Sequence, residues 1–125
     1  MSEQLNDSDS KRLCDTIVEG MQENKANDIV ILDLREIGTA VCDFFVICSG
    51  ESSTQVDGIS NSVERYTRKS ISEKPWRVEG KSQSEWVLMD YVSVVAHVFY
   101  KDTRSFYDLE DLWADANRVD VPNIN

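Results

Sequence analysis

Apolar positions along this chain follow two rhythms, and each rhythm predicts a different kind of element. Leu13, Cys14, Ile17, Val18 and Met21 recur at helical spacing behind the capping candidates Asp7, Ser8, Asp9 and Ser10, which predicts a first helix over residues 9–24. Asp28-Ile29-Val30-Ile31-Leu32-Asp33-Leu34 and Asp43-Phe44-Phe45-Val46-Ile47-Cys48 are β-branched or aromatic runs too short for a stable helix. Each reads as a largely buried strand. The short loop between them, around residues 36–40, makes the pair antiparallel.

Ser52-Ser53-Thr54-Gln55 fits a capping box, and Val56, Ile59, Val63 and Tyr66 then share one face of a second helix over residues 53–72, ended by Pro75. Trp76-Arg77-Val78 is a short strand before a turn at Glu79-Gly80. Residues 86–90 and 94–99 form a hairpin, with a tight turn at Tyr91-Val92. This turn pairs Asp90 with Ser93 and sets Met89 opposite Val94, Leu88 opposite Val95, Val87 opposite Ala96 and Trp86 opposite His97. Alternation puts Val87, Met89, Val94, Ala96 and Val98 on one side, small enough to lie beneath helices. Trp86, Leu88, Val95, His97 and Phe99 fall on the other, a mixture typical of interfaces and also of plain sheet packing.

A third helix over residues 103–117 places Phe106, Leu109, Leu112, Trp113 and Ala116 on one stripe. The expected architecture is one α/β domain over residues 11–118, a mixed sheet with helices mainly on one face. A flexible segment at 1–10 and a frayed tail at 119–125 flank it.

Length and composition narrow the function. With 125 residues, 41% of them apolar, there is material for one core and no room for two domains. The longest nearly apolar run, residues 92–100, carries Ser93 and His97 and is far short of the roughly 20 residues a membrane helix needs. A polar, acidic start lacks the apolar core of a secretory signal, so a cytoplasmic protein is expected. Cys14, Cys42 and Cys48 show no paired-ligand spacing and read as buried thiols, and no metal site is expected.

The net charge of −10 disfavours nucleic acid, whose binding depends on Lys and Arg neutralising phosphate. That charge is uneven: residues 54–81 carry a net +2 and residues 102–120 a net −4. Such an acidic segment suits either a basic partner or a solvated helix face.

Catalytic constellations mostly fail. His97, the only histidine, sits mid-strand with no nucleophile close in sequence, a poor base for hydrolysis. The Ser49-Gly50-Glu51-Ser52-Ser53 turn precedes a helix and offers amides to a phosphate, but it has one glycine and no Gly-Lys-Ser/Thr. Nucleotidyltransferases share a Ser-Gly turn of this kind, yet their two-metal chemistry needs paired carboxylates on a following strand. Here a helix follows. Asp7 and Asp9 form the only Asp-x-Asp, and Asp33 and Asp43 precede the turn.

Taken together, the chain resembles the ribosomal silencing factor family (RsfS, also called Iojap or YbeB) over residues 13–114. The resemblance lies in the 28–34 strand, in Asp43-Phe44-Phe45-Val46-Ile47-Cys48-Ser49-Gly50 followed by Ser52-Ser53 and Gln55, and in Val78-Glu79-Gly80. It continues through Trp86-Val87-Leu88-Met89-Asp90-Tyr91, His97, Arg104, Tyr107, Leu109-Glu110 and Leu112-Trp113. Membership implies a nucleotidyltransferase-like fold lacking the catalytic carboxylates, and a non-enzymatic role without cofactor. It further implies binding to a ribosomal protein on the intersubunit face of the large ribosomal subunit, blocked joining of the small subunit, reduced translation under nutrient limitation, and a homodimer when free.

The expected partner-binding set is Trp86, Leu88, Asp90, Tyr91, His97, Tyr107, Glu110 and Trp113. Alternatives are a small nucleotidyltransferase or hydrolase using the Ser49 to Ser53 turn, and a large-subunit assembly factor. In one place the chain departs from the family, which usually has Gly-Asp after Asp90-Tyr91. Val92-Ser93 stands there instead, so a turn that needs positive φ is less comfortable.

Overall fold

The computed structural model describes residues 7–124. Of the segment expected to be flexible, residues 1–6 lie outside the described part and residues 7–10 already belong to a helix. In chain order the elements are α1 (Asp7–Glu23), β1 (Asn27–Asp33), β2 (Phe44–Gly50), α2 (Ser53–Ile71), β3 (Arg77–Glu79), β4 (Trp86–Asp90), β5 (Val94–Tyr100), α3 (Lys101–Tyr107), α4 (Leu109–Leu112) and β6 (Asn117–Val121). The six strands make one mixed sheet in the order β3-β4-β5-β2-β1-β6. Only β2 and β5 run parallel, and β1 and β2 are antiparallel as their short connection requires.

Strand alternation divides the sheet into two sides. One side presents Val46 and Cys48 of β2, Val87 and Met89 of β4, and Val94, Ala96 and Val98 of β5 to Ile17 and Met21 of α1 and Val56, Ile59 and Val63 of α2. All of these are buried. The two helices cross closely because Gly20 has no side chain: a Cβ there would come within 2.7 Å of the Val63 Cα. Ser62 completes the crossing by donating to the Gly20 carbonyl at 2.7 Å.

At the start of α2, Ser52 Oγ accepts from the Gln55 amide at 3.1 Å, as a capping box requires. The Gln55 side chain reaches one residue further than expected and accepts from the Glu51 amide at 2.7 Å. At its end, the helix stops at a left-handed Ser72, where the Glu73 amide donates back to Thr67 O at 3.0 Å, three residues ahead of Pro75. The left-handed residue terminates the helix before proline can.

Three other expectations change. Instead of one helix over residues 103–117, a left-handed Asp108 separates α3 from α4, leaving Phe106 and Leu112 exposed. The tail expected to fray supplies β6 over residues 117–121, an edge strand paired antiparallel with β1. The hairpin turn falls on Val92-Ser93, so Trp86 lies opposite Phe99 and Leu88 opposite His97. This register differs from the expected one by two residues. A slip of two preserves which side each residue faces.

Val92 takes φ 76°, with the Ser93 amide donating to Tyr91 O at 3.0 Å in a γ-turn and the Val92 amide donating to the Asp90 carboxylate at 2.8 Å. A β-branched residue is strained in this region of backbone space. Val92→Gly should therefore raise stability by about 1 kcal/mol, the relief of a left-handed L-residue less the extra freedom glycine gains in the unfolded chain. Urea unfolding checks this: the midpoint should rise with an unchanged slope, and a lower midpoint would contradict the assignment of strain.

Candidate functional site

The sheet side away from α1 and α2 carries a cluster of aromatic rings. On it β4 places Trp86 and Leu88, β5 places Val95, His97 and Phe99, and β2 places Phe45 and Ile47. Neighbouring strands bring these side chains into one cluster. The Trp86 ring lies 4.9 Å from Phe99 and 4.7 Å from Tyr107 of α3, and Phe45 lies 4.6 Å from His97 and 5.7 Å from Trp113. Trp86 and His97 meet on the diagonal, where Trp86 Nε1 donates to His97 Nδ1 at 3.1 Å.

That bond fixes the imidazole. With Nδ1 accepting, the neutral ring carries its proton on Nε2, which is buried without a hydrogen-bond partner. Burial pushes the His97 pKa down to about 4, against a weaker opposite pull from Glu110. Only 4% of the residue is exposed. His97 orders the Trp86 ring from beneath and presents no base to an external substrate.

The other expected residues divide. Trp86 and Leu88 are half-buried, Tyr107 is exposed, and Trp113 lies half-buried over Phe45. Asp90 shares their side at the far end of β4, with its carboxylate 3.7 Å from Arg77. Glu110 is withdrawn into an ion pair with Arg104 at 2.6 Å, both side chains largely buried. Tyr91 does not belong with this group: alternation turns it to the helix-covered side, where it is buried and its hydroxyl meets Thr67 at 2.9 Å. Burial pushes its pKa up to about 12.

Sequence reasoning missed Phe45 and Arg104 as site residues. Two adjacent aromatics in a two-faced strand must point to opposite sides, so Phe44-Phe45 contained the signal. Arg104 fastens α3 to α4 through Glu110 and reaches Ser49 Oγ at 3.3 Å, a long-range role with no local pattern.

The Ser49 to Ser53 turn lies beside a cavity of about 670 Å³ at the carboxyl ends of the parallel strands, lined by Ser49, Lys101, Arg104 and Arg118 among others. Its cations are engaged: Lys101 with Glu51 at 3.1 Å, Arg104 with Glu110, and Arg118 with Asp120 at 2.9 Å. The Glu51 carboxylate at the helix start opposes an anion there. Among the described residues no group of three or more His, Cys, Asp or Glu side chains is placed to hold a metal. All three cysteines are buried free thiols, with pKa values pushed up by burial to about 12, 11 and 12 for Cys14, Cys42 and Cys48.

A family model described as "Ribosomal silencing factor during starvation" matches residues 7–125. The chain belongs to the ribosomal silencing factor family. It is 36% identical over 115 residues to ribosomal silencing factor RsfS of Halalkalibacterium halodurans, covering 92% of this chain and 97% of that relative. A mouse relative, named mitochondrial assembly of ribosomal large subunit protein 1, is 30% identical over 101 residues, 79% of this chain and 44% of its own. A crystal structure from Chromobacterium violaceum superposes with a TM-score of 0.78 at 30% identity, covering 83% of this chain and 85% of its own. The expected family and the mixed α/β fold are thus both found.

The buried imidazole gives a direct check. An unfolded histidine titrates near 6.5 and the folded one near 4, so the unfolded chain binds more protons between those values. The contribution of His97 therefore lowers stability as pH falls from about 6.5 to 4, by roughly 3 kcal/mol in full. Because the chain has one histidine, its NMR titration is unambiguous. A midpoint near 4 is expected, and one near 6.5 would contradict the burial.

Proposed function

We propose that the chain docks on the large ribosomal subunit through its Trp86 side and, seated on the intersubunit face, keeps the small subunit from joining. Translation then falls when nutrients are limited. One observation carries this reading: a half-exposed aromatic surface around Trp86, Leu88 and Tyr107, beside short helices that leave Phe106 and Leu112 bare, on a chain whose one histidine is sealed inside. Exposed apolar groups collected in one region mark interaction sites more often than solvated surface.

The partner is a basic ribosomal protein, as the net charge of −10 favours. Asp90 and Glu110 already face Arg77 and Arg104, so steering falls to exposed residues such as Asp108 and Asp111. The free protein is cytoplasmic and a homodimer, its patch covered by a second copy until the ribosome competes for it. Nothing is turned over. The nucleotidyltransferase likeness belongs to the same proposal, a shell whose phosphate end holds cations that are already paired. The name of the mouse relative favours a second reading, assistance in large-subunit assembly, which would use the same docking surface.

Replacing an aromatic anchor at the centre of an interface commonly costs at least about 2 kcal/mol, so Trp86→Ala should weaken large-subunit binding by over about tenfold. Co-sedimentation with purified subunits measures this, with circular dichroism to show that the variant is folded. A folded variant that sediments with large subunits as well as the parent does would remove Trp86 from the docking surface.

A further inference from the structure

Between the ends of β4 and β5 and the outer side of α3 runs an open groove of about 670 Å³, walled by Trp86, Tyr100, Phe106 and Tyr107 and bordered by Glu85 and Asp102. Three of its rings touch in series. Tyr107 lies 4.7 Å from Trp86, and Phe106 stands edge-on to Tyr107 at 5.0 Å with 80% of its surface exposed. Glu85 and Asp102 are both exposed, and neither joins an ion pair among the described residues, although Glu51 and Glu110 nearby are each paired.

These features select the chemistry of an occupant. An anion would meet two carboxylates in a domain of net charge −10. A purely apolar side chain would strip water from the carboxylates and give them nothing in return. A cation with an apolar stem satisfies both parts, its charge against the carboxylates and the aromatic faces and its stem along the rings. A guanidinium suits the site better than an ammonium, because its flat, weakly hydrated face stacks on rings while its edge meets carboxylates.

We propose that this groove receives an arginine or lysine side chain, arginine preferentially, from the basic protein on which the chain docks. Resting on the docking reading above, the inference adds the chemistry of the contact and three residues that no motif picks out: Glu85, Asp102 and Phe106. Their positions also explain why an aromatic as exposed as Phe106 stands beside unpaired acids.

The test is co-sedimentation of the full chain with purified large subunits. Glu85→Lys with Asp102→Lys should weaken binding by at least about tenfold, and Glu85→Gln with Asp102→Asn by less, in the same direction. A control reverses two exposed acids elsewhere, Glu19→Lys with Glu36→Lys, giving the same net charge. The control should bind within about threefold of the parent. Equal weakening by both double reversals would mean that net charge alone acts, and parent-like binding by the groove variants would leave the groove without a role. Either result overturns the proposal. Failure of the parent itself to sediment with subunits would instead remove the docking reading beneath it.

Discussion

The structure depends on covering both sides of a sheet whose central strands are buried. β2 and β5 lie in the middle, run parallel, and present apolar side chains to either side, so each side must be shielded from water. The two sides are shielded unequally. Two long helices, locked by the Gly20 approach to Val63, close one side over the central strands. The other has only the 34–42 loop, two short helices and the turn after them, and those helices are held by buried Leu109, by ring contacts of Tyr107 and Trp113 with the sheet, and by the largely buried ion pair between Arg104 and Glu110. Incomplete cover is what leaves Trp86 and Leu88 half-exposed.

Because burial of charge costs free energy, a pair like Arg104–Glu110 is tolerated only where further hydrogen bonds satisfy it. Arg104 meets that condition by also reaching Ser49 Oγ. The contact links the cover of the aromatic side to the end of β2. Arg104 thereby ties the two short helices to the sheet.

Much of this was legible in the sequence, and the reasons differ from element to element. Alternation along residues 86–99 sorts the two sides correctly even with the turn expected one residue early, because the resulting slip of two keeps parity. Parity also corrects Tyr91: five residues from Trp86, it must face the helices, and its place next to Asp90 in the chain concealed this. β6 was missed because Arg118 and Asp120 make it polar, as an exposed edge strand often is. The break at Asp108 is not legible because an apolar stripe continues through it, and no local pattern announces a left-handed aspartate. Phe45 and the Arg104–Glu110 pair come from tertiary contact, the former inferable from alternation and the latter only from the fold.

Association of separated ribosomal subunits tests the central claim most directly. Large subunits incubated with a molar excess of the chain and then mixed with small subunits should give few joined ribosomes on a sucrose gradient, with the chain migrating on free large subunits alone. Undiminished joining with the chain bound, or the chain migrating on joined ribosomes, would contradict occlusion as its mode of action.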